Sequence, residues 1–566
     1  MSKLLLLPSA KLVPPELQTD LGSITSAMIP LDSRPALHYI TEPYSQRGYK
    51  TVVAVHEQAE AVSRYLVRHP ELEARIVDVG DTGSLGETVL AALEAIAEPR
   101  DLLVINFADT YVMDPLPDGD FICYAEQEDV YRWTTFQLSE TGMLYNLAEK
   151  GQVKPFDQDL LVFVGVFGIA NQLQFLEDLR HALATSESEG QLDPFYQAIT
   201  MYFNRQDHGQ EAFTKVLKWH DFGHVDTYYA TKKALFINKR FFNDVQIDNS
   251  RGIVYKHSSD VQKLTREIKW YLKLPKGLKH IGPRVLDYSL TPGKVFLEME
   301  FYGYPVLNDI YLFGDLNLGV WSQILEAIER TINDMAQYRF APAATASIRA
   351  DMREIYVHKT LQRIEPIMAD ARFAPFSADE ITINGRQCYG LRQVLRVLPD
   401  LAETLNLYEL PCFTVIHGDL CLGNILYDPR NRIVRLIDPR GSFGSQETYG
   451  DPRYDLAKLC HSLEGDYDFF VNGLFDFEWQ DGGLWFSAHL DEHHQAIKSL
   501  FHRWLTRGWG PQYTQLKLIE SLLFLSMVPL HADRFRSQQA FLARGLETFT
   551  ATAFTSLGLA SRGESA

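Results

Sequence analysis

The stretch Ile416-His417-Gly418-Asp419-Leu420-Cys421-Leu422-Gly423-Asn424-Ile425-Leu426, followed by Leu436-Ile437-Asp438-Pro439-Arg440-Gly441, decides how the rest of the chain is read. It spaces two carboxylates and a carboxamide in a pattern suited to holding magnesium and deprotonating a hydroxyl. Arg432–Ile437 predicts a strand that ends at Asp438. Beyond it, Gly450-Asp451-Pro452-Arg453-Tyr454-Asp455-Leu456-Ala457 reads as the opening of a helix.

Upstream, Ile253-Val254-Tyr255-Lys256 predicts a strand, and Ser258-Ser259-Asp260 supplies N-cap oxygens for the helix after it. That helix carries Val261, Leu264, Ile268 and Tyr271 at helical spacing, with Glu267 on it. A strand lysine facing a helix glutamate is the device that grips ATP phosphates in kinases; taken alone, the pair is more simply two surface charges. Val295–Phe301 predicts an apolar strand leading to Tyr302-Gly303-Tyr304, and a mostly helical region is expected from Leu318 to Leu405.

In this order the His-Gly-Asp-x-x-x-x-Asn motif resembles that of aminoglycoside phosphotransferases and choline kinases over roughly residues 240–555. The resemblance implies a bilobal protein-kinase-like fold and roles for named residues. Asp419 accepts or orients the proton of the substrate hydroxyl. Asn424 and Asp438 ligate Mg²⁺ or Mn²⁺ on the phosphates of ATP. Lys256 neutralises charge on the nucleotide and Glu267 positions Lys256. His417 and Asp455 support the loop rather than react. Asp438-Pro439-Arg440 replaces the Asp-Phe-Gly of protein kinases, and no glycine-rich loop is present. Arg240-Phe241-Phe242-Asn243-Asp244 is expected to cover the phosphates instead. Both departures point to a small-molecule acceptor: an alcohol, an amino alcohol or a sugar.

The first part of the chain alternates strand and helix signals. Strands are expected at Leu4–Leu7, Thr51–Val55, Arg75–Val79 and Leu102–Asn106, and helices at Pro35–Gln46, Ala59–Arg68 and Leu85–Ile96. That alternation predicts an α/β fold with a largely parallel sheet, whose ligand sites lie past the carboxyl ends of the strands. Asp109 follows the fourth strand. Gly80-Asp81-Thr82-Gly83-Ser84 follows the third; it either caps a helix or offers backbone N–H groups to a nucleotide. With Glu149-Lys150 and Trp219-His220-Asp221-Phe222-Gly223, these pieces resemble the sugar-phosphate and phosphocholine nucleotidyltransferases over roughly residues 1–238. The resemblance implies a Rossmann-like (GT-A type) fold, a metal on Asp109 and Asp221, and nucleotide contacts at Gly83. It departs at the first strand. Pro8-Ser9-Ala10-Lys11-Leu12 lacks the family's glycines and its lysine, and Lys11 is the candidate substitute.

The chain of 566 residues is too long for one core, and the expected parts are 1–239, 240–556 and a disordered tail at 557–566. A net charge of −19 argues against a nucleic-acid binder and leaves room for a local basic pocket for phosphates. The five cysteines form no Cys-x-x-Cys pair and read as reduced thiols of a cytoplasmic protein. Four leucines before Pro8 are too few for membrane insertion. Oligomeric state is left open.

Phosphorylation of a hydroxyl and nucleotidyl transfer to a phosphate monoester are consecutive steps. The pairing resembles bacterial capsule and lipopolysaccharide proteins that make nucleotide-activated, including CDP-linked, building blocks from a second NTP such as CTP. Two other readings stand beside it: a kinase whose first domain only binds, and a non-enzymatic assembly protein.

Overall fold

The computed structural model describes residues 2–31, 34–96, 100–127, 130–152, 160–185, 192–205, 209–236, 243–248, 251–341, 345–480 and 482–557. The expected tail at 557–566 and the expected boundary at 239 therefore lie outside the described residues, Leu557 apart. The chain divides into two compact units: Met1–Leu235 with Phe313–Asp315, and Phe236–Leu312 with Leu316–Ala566.

The first unit is built on a nine-stranded sheet. Lys3–Ser9 is flanked in parallel by Tyr49–Val55 and Leu102–Asn106, and Tyr49–Val55 pairs in parallel with Ala74–Asp78. Leu4, Leu5, Leu6 and Leu7 are each at most 2% exposed, so both faces of this strand are covered. That is what a continuous apolar run in a parallel sheet requires. Helices Ala36–Ser45, Ala59–Arg68 and Leu85–Glu94 follow the strands as the sequence predicts. The sheet departs from expectation beyond Leu102–Asn106. Leu161–Ile169 joins that strand antiparallel and also pairs antiparallel with Phe121–Ala125 and Thr135–Leu138. The sheet is mixed because the segment after Asn106 returns through short strands, with no helix among its described residues to force a parallel crossover.

The second unit opens with a four-stranded antiparallel sheet in the order Asn243–Asp248, Ile253–Ser258, Phe296–Glu300, Val285–Ser289. Helix Val261–Lys273 follows the second of these strands, capped by the Asp260 carboxylate on Lys263 N–H at 2.9 Å. The remainder is mainly helical around one apolar core. That core includes Met352, Ile364, Leu398, Phe443, Leu518, Phe524 and Phe541. The region expected to be helical from Leu318 to Leu405 is interrupted by a hairpin, Glu380–Ile383 with Arg386–Tyr389. Asn384 and Gly385 at its tip adopt the positive φ that a tight turn needs. A second β-hairpin, Phe475–Gln480 with Gly483–Ala488, carries Trp479 and Trp485. The five cysteines are free. Among the described residues no helix is long and apolar enough to cross a membrane.

Candidate active sites

In the second unit, short elements bring the predicted residues together. Phe413–Val415 is a buried strand, and the chain leaves it at Ile416 to form the loop His417–Asn424. Hairpin Ile425–Asp428 with Ile433–Leu436 then returns the chain to Asp438. Asp438 has φ +56°, a left-handed conformation that aspartate tolerates better than most residues and that often marks a functional turn. Gly441 has φ +73°, and a Cβ there would lie 2.3 Å from Arg266 O. This close approach seats the segment after Asp438 against helix Val261–Lys273.

Lys256 is 3% exposed and is clasped on two sides. Its Nζ donates to Glu267 Oε1 and Oε2 at 2.8 and 2.7 Å, and to Asp438 Oδ1 at 2.7 Å. Burial works against the Lys256 charge, but Asp438 and Glu267 outweigh it and raise its pKa. Burial pushes Glu267 up to about 7 against the pull of Lys256. The sequence-predicted lysine, glutamate and second aspartate thus form one linked group.

The loop itself is held from behind. Asp455, on helix Pro452–Leu463, accepts the backbone N–H of His417 and of Gly418, both at 2.7 Å. Burial pushes the Asp455 carboxyl up to about 7 even against these two donors. His417 Nε2–H donates to Ile437 O at 3.0 Å, and its Nδ1 accepts Asp419 N–H at 3.3 Å. This pattern needs the neutral ring, and burial pushes the imidazole down to about 4. Trp270 Nε1 donates to Ile416 O at 2.8 Å. His417 and Asp455 are thus both hydrogen-bonded to backbone groups of the loop and of the strand end after it.

Asn424 donates from Nδ2 to Asp419 O at 2.9 Å and to Asp419 Oδ2 at 3.1 Å. Its amide nitrogen faces Asp419, so its carbonyl oxygen turns away from that residue. The other Asp419 oxygen, Oδ1, receives the Lys458 ammonium at 2.8 Å. Burial would raise the Asp419 pKa, but Lys458 outweighs it and holds the carboxyl below its ordinary value. Lys458 lies one helical turn beyond Asp455 and had no role in the sequence reading. The run Tyr454-Asp455-Leu456-Ala457-Lys458 was its only signal. A carboxamide oxygen on Asn424 and a carboxylate on Asp438 are hard oxygen donors of the kind magnesium or manganese takes, so the residues fit such an ion.

Of the segment expected to cover the phosphates, Arg240–Phe242 lie outside the described residues, while Asn243 and Asp244 begin a strand. Two tryptophans of the C-terminal part are engaged within the fold. Trp504 Nε1 donates to Glu329 Oε2 at 2.9 Å, and Trp479 packs against Phe376 with ring centroids 5.5 Å apart.

In the first unit, Trp219–Asp221 pairs antiparallel with Thr110–Val112, setting Asp221 opposite Thr110 and so beside Asp109. Phe222 N–H donates to Asp109 O at 3.0 Å. Gly223 is needed at this contact, since a Cβ on it would lie 2.5 Å from Asp109 Oδ2. Burial first, then the Asp221 carboxylate, pushes Asp109 up to about 6. His224 Nδ1 lies 3.4 Å from Asp221 Oδ2, and Lys150 is among the charges acting on Asp109. Two neighbouring carboxylates, Asp221 raising the pKa of Asp109, make a set that a divalent cation fits.

The other two predicted residues of this unit are engaged within the chain. Gly83 N–H donates to Glu87 Oε2 at 2.6 Å, and Ser84 Oγ accepts Glu87 N–H at 3.1 Å. The turn therefore caps the helix Leu85–Glu94. Lys11 pairs with Asp81 at the surface. The next backbone amide, Leu12 N–H, donates to Glu57 Oε2 at 2.7 Å.

Solved structures similar to the N-terminal part include a nucleoside-diphosphate-sugar pyrophosphorylase from Vibrio cholerae RC9. It is 15% identical, covers 40% of this chain and 99% of its own, and has a TM-score of 0.33. A CTP:phosphocholine cytidylyltransferase from Streptococcus pneumoniae is 10% identical over 42% of this chain and 100% of its own, with a TM-score of 0.32. An inositol-1-phosphate CTP transferase from T. maritima is 11% identical over 40% and 91%, with a TM-score of 0.29. At these values each is a similarity and nothing more. No curated protein matches the chain. Residues 358–485, which carry His417, Asp419, Asn424, Asp438, Asp455 and Lys458, match the phosphotransferase enzyme family, and the C-terminal part of the chain contains a domain of that family.

Proposed function

We propose that the C-terminal unit transfers the γ-phosphoryl group of ATP to a hydroxyl of a small molecule. The N-terminal unit then transfers a nucleotidyl group from a second NTP, with CTP the first candidate, to the phosphate so formed. The product is a nucleotide-activated compound of the kind used to build surface polysaccharide. The observation that supports the kinase step is the linked set Glu267–Lys256–Asp438 and Asn424–Asp419–Lys458.

In that step the acceptor oxygen forms a bond to the γ-phosphorus as the bond to the β–γ bridging oxygen breaks, and ADP leaves. Asp419 holds the acceptor hydroxyl and takes its proton. Lys458 keeps Asp419 ionised beforehand, so orientation contributes more than basic strength. Lys256 faces the phosphates, with Glu267 fixing its direction. Magnesium or manganese on Asn424 Oδ1 and Asp438 supplies charge neutralisation when bound.

A second reading of the N-terminal unit is binding without turnover. It is favoured by the loop after the first strand: Leu12 N–H is taken by a carboxylate, and Lys11 by Asp81. Asp419→Ala should abolish ATP turnover with every acceptor, and unchanged turnover would overturn the kinase assignment. Asp109→Ala should abolish pyrophosphate release from the second NTP while sparing ATP use. If wild-type protein releases no pyrophosphate from any NTP with any phosphorylated acceptor, the binding reading replaces nucleotidyl transfer.

A further inference from the structure

Asp419 is flanked by more cations than it can neutralise. Lys458 pairs with it directly. Arg440 is carried beside the loop by its backbone N–H, which donates to His417 O at 3.0 Å. Its guanidinium donates to Tyr454 OH at 2.6 Å, with the guanidinium carbon 5.4 Å from the centre of that ring. Lys359 and Arg363 lie one turn apart on helix Lys359–Ala369, hence on one face. Arg363 donates to Ser526 O at 2.8 Å. Tyr356, three residues before Lys359, stacks on Tyr454 with ring centroids 6.2 Å apart, which sets the start of this helix beside Arg440. Lys359 feels Arg440, Arg363 and Lys458, and the Asp419 carboxylate acts on it.

None of the four cations is fully exposed. Among the described residues no carboxylate forms an ion pair with Lys359, Arg363 or Arg440. Burial, and then its cationic neighbours, hold Lys359 well below its ordinary pKa. Like charges gathered in partly dry surroundings destabilise the free protein. They do so here in a chain whose net charge is −19, where carboxylates are in surplus. The local backbone adds a second sign. Glu354–His358, immediately before Lys359, is a π-helical turn between helices Thr345–Arg353 and Lys359–Ala369. Such turns are rare and frequent at functional sites, and this one sets the direction in which Lys359 and Arg363 leave the helix.

We propose that Lys359, Arg363 and Arg440 receive an oxyanion carried by the acceptor, so that the molecule phosphorylated at Asp419 is an acidic hydroxyl compound, bearing a phosphate or a carboxylate, and not a cationic amino alcohol or a neutral polyol. The proposal rests on the kinase reading of this unit and names its substrate class. Guanidinium and ammonium groups gathered beside Asp419 suit an anion through charge-assisted hydrogen bonds. The same groups repel the ammonium of an amino alcohol.

The test is isothermal titration of the full chain saturated with MgADP, so that the nucleotide site is filled before the probe is added. The probes are glycerol 3-phosphate, glycerate, glycerol and choline. Glycerol 3-phosphate or glycerate should bind saturably and glycerol and choline should not. The tighter of the two anions identifies phosphate or carboxylate as the group recognised. Lys359→Met should weaken the anion about tenfold, the loss of one charge-assisted contact, with MgADP affinity unchanged. Arg363→Gln is the second variant, read by the same titration, should Lys359→Met not fold. Choline or glycerol binding as tightly as the anions, no binding of either anion, or unchanged anion affinity in the variants would each overturn the proposal. Failure of MgADP to bind would overturn the kinase reading instead, and the anion titration without nucleotide would still decide the charge preference.

Discussion

Replacing Lys458 by methionine removes the ammonium that lies 2.8 Å from Asp419 Oδ1 while keeping the length and apolar body of the side chain. At that distance and an effective dielectric constant of about 20, the attraction is up to about 6 kcal/mol. The Asp419 side chain is 39% exposed, so water screens much of this. A remaining effect of about 1.5–3 kcal/mol corresponds to about 1–2 pH units in the pKa of Asp419. The direction follows from what is left: with Lys458 gone, burial acts on Asp419 with less opposition and its pKa rises. Asp419 must be ionised to orient the acceptor, so the acid limb of kcat/KM against pH should move upward by that amount. The assay is ADP release at saturating MgATP, with wild type and Lys458→Met measured from pH 4.5 to 9. An acid limb displaced by less than about 0.3 units would refute the view that Lys458 holds Asp419 ionised.

Three further outcomes are expected. His417 has its pKa depressed to about 4 in the folded chain against about 6.5 unfolded, so it subtracts stability as pH falls from about 6.5 to 4. The unfolded chain takes up the proton first in that window, and the loss approaches about 3 kcal/mol at its lower end. Thermal unfolding followed from pH 7 to 4 should show a shallower decline in His417→Gln than in wild type. Gly441→Ala forces a Cβ to 2.3 Å from Arg266 O at φ +73°, and should destabilise the C-terminal unit by about 2–4 kcal/mol, measured by urea denaturation. Gly223→Ala drives a Cβ to 2.5 Å from Asp109 Oδ2. It should lower pyrophosphate release at least tenfold while leaving ATP-dependent phosphorylation intact, since the two measurements report different units.

Much of the fold was legible because each signal was local. Ala59–Arg68 and Leu102–Asn106 form the helix and strand expected, bound for bound. Lys256, Glu267, Asn424 and Asp438 come together because a strand, a helix and a turn in that order leave few other arrangements. What stayed hidden depends on pairing over distance. Nothing in Leu161–Ile169 states that it will run antiparallel to Leu102–Asn106, since a buried apolar run reads alike in either direction. Lys458 is one of many lysines until helix Pro452–Leu463 is docked against the loop. Lys11 stood in sequence where a phosphate-binding lysine could substitute, yet Asp81 is a nearer partner in the folded chain. Leu12 was silent for another reason: its contribution is a backbone amide, which every residue but proline carries. Lys359 and Arg363 showed only a four-residue spacing, common to any helix surface.

The π turn at Glu354–His358 lets the chain absorb a change of length next to Lys359 and Arg363. A π turn is a helix carrying one residue more than the α ladder accommodates. Deleting a single residue there would return the ladder to α geometry. Five residues closing a π turn sweep about the same angle as four closing an α turn, so Lys359 and Arg363 would keep their face of helix Lys359–Ala369. The same deletion inside Lys359–Ala369 has no such buffer and would rotate every later residue of that helix by about 100°. A one-codon deletion is therefore absorbed at the turn and is not absorbed a few residues beyond it.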